Sequence, residues 1–359
     1  MASKKFQFSW KTILLPVLGL LAFFLYLYIF NVDIPKIIAM AQRTDLYIYV
    51  LAAVTIVLDT FFFALSWHFL LNFLSVKISV LKSFLYVWFG IFVDLIIPAE
   101  SISGEITRVY LVTKEHNGVT GKVVASLVAH RLIGMGINVL SLFLGAITLL
   151  IERHLHQTIL NLIMFLAVAT IILLALLLFL CVKERWTMKI VDVTIGFLER
   201  ISRGRWKLQK FRGDILEAAK TFHSSIKEFG HAPKTLAKAS FSSVVAWIFS
   251  FTAAYLVFLS IGYTEIHWSA VIVTCSIVVV VKSIPLGVPF EVGLPEITMS
   301  TLYILLGVPP DVSATATILT RLLTVWFRFF IGFAVQQWLG IKSTVMNLQD
   351  LMRKKNGEA

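Results

Sequence analysis

Charge is what this sequence has least of. Of 359 residues only 14% are charged, whereas 58% are hydrophobic and 29 are phenylalanine. Soluble domains carry about a quarter of their residues as charges, so a water-soluble globular chain is excluded. Cysteine is scarce too. Cys181 and Cys275 both lie in apolar runs, which rules out a disulfide framework and suits small packing residues. Enzyme signatures are missing: no P-loop, Gly-rich phosphate loop or G-x-S-x-G elbow occurs. His154 and His156 share one short loop, but no acidic or cysteine partner completes a metal set. No metal or cofactor is therefore expected, and the balance falls on the side of a transporter rather than an enzyme. Lacking an ATPase motif, such a transporter is expected to work downhill or by ion coupling.

What the sequence has is long apolar runs. Thr12–Phe30 offers 19 uncharged residues and Thr158–Val182 offers 25, and about 20 suffice to cross the hydrocarbon core. The first run is too long for a cleavable signal peptide and no small-residue cleavage site follows it. Further spans are predicted at Leu46–Val76, Val123–Ile151, Ala239–Tyr263 and Val312–Ile341. Two weaker apolar segments, Ser83–Pro98 and Trp268–Pro285, each end in proline, pass through polar residues and return as a short apolar stretch.

Positive charge sets the orientation. Lys4, Lys5 and Lys11 place the N-terminus in the cytoplasm, as Lys342, Arg353, Lys354 and Lys355 place the C-terminus. The stretch 183–238, with 13 Lys/Arg against 6 Asp/Glu, also belongs inside. Parts of it, such as "IGFLERISRGRWKLQKF", read as interfacial helix against anionic headgroups. The net charge of +12 is thus assigned to a membrane surface, not to nucleic acid. These constraints fit only if Ser83–Pro98 enters and turns back. Its 16 residues rise about 24 Å against a core of about 30 Å. The expected architecture is an all-α polytopic membrane protein of the cell membrane, a single integral domain (1–359). It has six spans plus two re-entrant hairpins, 83–115 from the cytoplasm and 268–306 from outside. The first half is 46–182, the linker 183–238 and the second half 239–341.

The tip of the first hairpin, "PAESISGEITR" (98–108), sits at membrane depth in this reading. Irregular backbone survives there only where protein or a wet cavity satisfies it. The segment beginning "GEITRVYLVT" at 104 also has a counterpart in "PEITMSTLYILLGV" at 295. Both open on Glu-Ile-Thr, form a short apolar helix, break at Gly-Val and enter a span carrying Arg-Leu. The Glu-to-Arg spacing is 26 residues in one copy (Glu105, Arg131) and 25 in the other (Glu296, Arg321). The threading makes the copies an inverted repeat, an architecture common among transporters.

Charges at depth are expensive, so each needs a partner or water. Glu105, Arg108, Arg131, Glu296 and Arg321 are the main cavity candidates, with Asp94, Ser103, His130, Glu291 and Arg328 beside them. Two readings stand. Glu105–Arg131 and Glu296–Arg321 act as staples between hairpin and span, or the arginines grip a phosphate or carboxylate headgroup with their planar forks. An ion pair that opens to admit a headgroup serves both. Asp59 reads as a packing or snorkelling residue, and His130 as a satisfied interior histidine.

The ordered motifs resemble the lysylphosphatidylglycerol synthase transmembrane-region proteins, or flippase-like integral membrane proteins. The first signature is Pro98, Gly104-Glu105, Arg108 and Arg131-Leu132. The second is Gly293, Glu296, Leu306-Gly307-Val308-Pro309 and Arg321-Leu322-Leu323. The resemblance covers nearly the whole chain and is to the stand-alone members, without a fused transferase. It implies a lipid flippase or scramblase-like transporter for an anionic phospholipid or polyprenyl-phosphate-linked headgroup. The alternative is a membrane enzyme or subunit of lipid aminoacylation or lipid-linked glycosylation, working with a soluble transferase partner.

Overall fold

The computed structural model describes residues 34–97, 102–151, 157–189, 193, 209–283 and 291–340. The predicted span Thr12–Phe30, the hairpin tip 98–101, His154, His156, most of 190–208 and the "PLGVPF" segment lie outside the described residues. Every element among the described residues is helical: α1 Ile34–Gln42, α2 Leu46–Phe73, α3 Val80–Ile96, α4 Ile102–Glu115, α5 Thr120–Ile151, α6 Gln157–Val182, α7 Gln209–Gly230, α8 Pro233–Ser260, α9 Trp268–Lys282, α10 Leu294–Leu305, α11 Pro310–Arg321 and α12 Arg328–Trp338. A π-helical turn, Leu322–Phe327, joins α11 to α12. Five helices are long and apolar enough to cross a membrane: α2, α5, Leu160–Val182 of α6, α8, and the run Pro310–Trp338. They match five of the six predicted spans. The chain is a multi-pass membrane protein.

Helix α2 is the natural ruler of the molecule. It starts at Asp45, whose carboxylate accepts from the backbone N–H groups of Tyr47 and Ile48, the ordinary service of an N-cap. It packs antiparallel to α8: the Asp45 N–H reaches Ser260 O at 2.7 Å, and Ser66 and Ser243 share a 2.8 Å bond near the other end. Ser66 also donates to the Ala239 carbonyl at 2.8 Å. Ala52, Ala64, Ala246, Ala253 and Ala254 are all buried on these two helices. Small side chains let helix backbones approach closely where lipid offers no hydrophobic drive to pack. Outward faces stay apolar, as Leu140, Leu144, Ile147, Phe165 and Ile172 show on α5 and α6.

Two short-helix hairpins fold against this pair. In the first, α3 and α4 run antiparallel, with Asp94 against Gly104 at one end and Lys82 against Glu115 at the other. In the second, α9 and α10 run antiparallel, with Lys282 against Glu291 at the connecting end and Cys275 against Tyr303 further along. These helices have 17, 14, 15 and 12 residues. At 1.5 Å per residue each rises only about 18 to 26 Å. The first hairpin leaves from the Phe73 end of α2. The second begins at the Leu46 end, where Trp268 stacks on Tyr255 at 4.2 Å. The two Gly-Val breaks are left-handed turns alike, Gly118 at φ 75° and Gly307 at φ 92°. Only glycine adopts that backbone without strain, and it ends the short helix in each copy.

Helix α7 sharpens the reading of 183–238. It is bonded into the bundle as well as basic: Phe222, Ile226 and Phe229 pack with Leu70, Ala125 and Ala239. Gly121 of α5 sits so near α7 that a Cβ there would meet Ala218 O at 2.4 Å.

Candidate functional site

The first cluster forms where α3, α4, α5 and the middle of α2 meet. Asp94 accepts from the Ser103 hydroxyl at 2.6 Å and from the Gly104 N–H at 2.7 Å. A carboxylate from one helix thus caps the first turn of the next, where the helix dipole favours negative charge. Glycine is required for the approach: a Cβ on Gly104 would lie 2.2 Å from Asp94 Oδ2 and 2.6 Å from the Gly90 carbonyl. One turn further, Arg108 is 7% exposed. Its guanidinium lies 5.2 Å from the Trp67 ring and 5.9 Å from Phe63, within cation–π range. Its Nη1 is buried with no hydrogen-bond partner. Glu105 and Arg131 approach to 3.5 Å, with side chains 23% and 37% exposed. His130 is buried with its ring 4.3 Å from that of Phe63.

The second cluster forms where α9, α10 and the α11–α12 run meet α2 and α8. Glu296 does two jobs. Its Oε2 accepts the Gly293 N–H at 2.7 Å, half of a capping box. Its Oε1 pairs with Arg321 Nε at 2.6 Å, both side chains under a tenth exposed. Arg321 also donates to the Glu291 carbonyl at 2.8 Å, and its Nη1 lies 3.9 Å from the Glu291 carboxylate. Lys282, the last residue of α9, meets that same carboxylate at 2.7 Å. Arg328 pairs with Asp59 of α2. The π turn lies between Arg321 and Arg328, and such turns recur at functional sites.

A cavity of about 140 Å³ opens beside this network. Lys282, Arg321 and Arg328 line it together with Thr320, Thr324 and Ser250, while Trp247, Phe251, Val278 and Val279 give it an apolar flank. Three cations converge on a space with room for a phosphate-sized group and far too small for acyl chains.

All ten residues singled out in the sequence fall in one of these two clusters. The sequence reading missed Lys282, although it is the one charge in "WSAVIVTCSIVVVVK". It also left Asp59 without a partner, since Arg328 is 269 residues away. Phe63 and Trp67, the shelf under Arg108, carry no signal that separates them from ordinary packing aromatics. Among the described residues no group of three or more His, Cys, Asp or Glu is placed to hold a metal.

Residues 13–332 match the family described as the lysylphosphatidylglycerol synthase TM region. The chain belongs to that family. A UPF0104 membrane protein of Pyrococcus horikoshii is 23% identical over 307 residues, covering 83% of this chain and 89% of the relative. One of Methanocaldococcus jannaschii is 24% identical over 333 residues, covering 92% and 95%. A third, of Methanothermobacter thermautotrophicus, is 24% identical over 298 residues, covering 82% and 86%. Membership therefore extends across both clusters, from the first hairpin to the α11–α12 run.

Proposed function

We propose that this chain is a flippase or scramblase-like transporter that moves an anionic headgroup, of a phospholipid or a polyprenyl phosphate, across the cell membrane. The observation that carries the reading is the small cavity on which Lys282, Arg321 and Arg328 converge beside an apolar flank. Guanidinium forks and an ammonium suit phosphate oxygens, and an apolar flank suits the first carbons of a tail that stays in lipid. The buried, unsatisfied Nη1 of Arg108 is a second donor for an anion on the path. In this reading the α3–α4 and α9–α10 hairpins are re-entrant arms of an inverted repeat, and both termini are cytoplasmic. Their shortness and their departure from opposite ends of α2 support it, since discontinuous helices meeting near the midplane suit alternating access.

The test is leaflet exchange in liposomes. Purified protein with fluorescent phospholipids or a polyprenyl-phosphate analogue is expected to abolish leaflet asymmetry. Arg321→Lys, which keeps charge and loses the fork, is expected to slow exchange by about tenfold, a transition-state loss of about 1.4 kcal/mol. Folded wild-type protein that moves none of these lipids would overturn the reading.

A second reading draws on the family description, which names a synthase. Here the chain is the membrane unit of a lipid-aminoacylating or glycosylating system, with the chemistry supplied by a soluble transferase partner. Modified lipid formed only when such a partner and its activated donor are both added would favour it.

A further inference from the structure

Glu291 occupies a place that the headgroup reading gives to substrate. Its carboxylate meets Lys282 at 2.7 Å and Arg321 at 3.9 Å, and both cations line the cavity. The residue has φ 49°, a left-handed backbone that L residues with a full side chain seldom adopt. Such conformations persist where surrounding contacts over-determine them, and they gather at switch regions and ligand clamps. Around it stand Lys282 on α9, Glu296 on α10, Arg321 on α11, and Arg328 on α12 with its partner Asp59 on α2. Cys275 and Tyr303 face each other across the same hairpin. Three cations are thus matched by three carboxylates.

A neutral network at membrane depth has no spare positive charge for an incoming anion. A headgroup phosphate that takes Lys282 and Arg321 leaves the Glu291 carboxylate without its partners, and an unpaired buried carboxylate takes up a proton instead of staying charged. We propose that Glu291 is a resident stand-in for the substrate anion, displaced and protonated as a phosphate-bearing headgroup binds. The inference rests on the headgroup reading above and adds its coupling ion. One monoanion enters with one proton, the proton lands on the Glu291 carboxyl, and the net charge of the site is unchanged.

Calorimetric titration of purified protein with dihexanoyl phosphatidylglycerol, in two buffers of different ionisation enthalpy, counts the protons taken up. Dimethyl phosphate, a phosphodiester monoanion that does not itself titrate in this range, serves as the tail-less arm. Wild type is expected to take up about one proton per lipid bound. Between the free and the lipid-bound titration of that carboxyl, one linked proton also weakens binding about tenfold per pH unit. Glu291→Gln is expected to bind at least as tightly at high pH and to take up none, whereas Glu291→Asp keeps the uptake. Should Glu291→Gln fail to fold, wild type and Glu291→Asp still decide the proton count. Wild-type binding without proton uptake, or uptake that survives in Glu291→Gln, overturns the role of Glu291 and leaves the headgroup reading standing. Folded protein that binds neither probe overturns both. Equal binding and uptake with dimethyl phosphate supports Glu291 and assigns the site to a free phosphate anion in place of a lipid headgroup.

Discussion

The two Glu–Arg pairs come from the same short motif and have opposite characters. Glu105 and Arg131 meet loosely at 3.5 Å with 23% and 37% of their side chains exposed. Glu296 and Arg321 lock at 2.6 Å with almost nothing exposed, and each has a further backbone partner. The next turn reverses the contrast. Arg108, three residues after Glu105, is buried with an unsatisfied donor; Met299, three residues after Glu296, lines the cavity as a neutral thioether. Both clusters leave a buried side-chain nitrogen without a hydrogen bond, Arg108 Nη1 in the first and Arg328 Nε in the second, but the second gathers three cations around a cavity. Motif identity brings the same residue types together, and the surrounding helices decide how tightly they pair.

The largest expected effect tests the pairs directly. Arg321→Ala strands Glu296 in the interior and is expected to cost about 3 to 5 kcal/mol, seen as a large fall in melting temperature in detergent. Arg131→Ala removes a partly exposed partner and is expected to cost at most about 1 kcal/mol. Equal losses from the two variants would end the distinction between a locked and a loose pair.

A smaller effect separates the two hairpin tips. Gly104 is needed for space, because a Cβ would collide with Asp94 and the Gly90 carbonyl. Gly104→Ala is expected to cost about 1 to 3 kcal/mol as the hairpin spreads. Gly293 is needed for its backbone at φ 108°, where Gly293→Ala is expected to cost about 1 to 2 kcal/mol. The double variant Asp94→Ala, Gly104→Ala discriminates: removing the carboxylate is expected to recover part of the Gly104 loss and none of the Gly293 loss.

Arg108→Met makes the first half copy the second. It loses the contacts to Trp67 and Phe63, worth about 0.5 to 2 kcal/mol, and it relieves a buried unsatisfied donor of similar cost. Melting is expected to move by no more than about 1 kcal/mol while leaflet exchange falls. Exchange at the wild-type rate would make Arg108 a packing residue and shift the anion path wholly to the second half.

How much of this was readable in the sequence follows from how each feature is encoded. Spans are encoded locally, in runs such as Thr158–Val182, and the described ones appear with shifted ends. Pro310 and Pro233 open helices two or more residues before the apolar run begins, because proline at a helix start lacks only an N–H that has no partner anyway. The Glu–Arg pairs were legible because charges are so scarce that few pairings remain. Lys282 was lost by the same logic, since a lysine at the end of an apolar arm also fits a snorkelling residue. The Asp59–Arg328 pair and the aromatic shelf depend on which helices meet. That is written in small residues spread along α2 and α8, and no local window contains it. The π turn has no recognised sequence signal at all.

The smallest effect lies at the base of the first hairpin, which has no described counterpart in the second. Lys82 bonds Glu115 at 2.9 Å, and Tyr86 donates to the same carboxylate. Partial burial pushes the Glu115 carboxyl up, but the bonds from Tyr86 and Lys82 outweigh it and hold the group below its usual 4.5. A carboxyl depressed in the folded state stabilises the fold fully above its unfolded value. That stabilisation is lost as pH falls from 4.5 through the lowered folded value. Melting in detergent is therefore expected to fall across that acidic window, by less in Glu115→Gln than in wild type, with no difference in slope between them above pH 6. Identical acid slopes would mean that the base of this hairpin is held by the apolar packing of Tyr86, Leu111 and Val112 alone. The polar contacts that hold the arm would then be those at its tip, between Asp94 and Gly104.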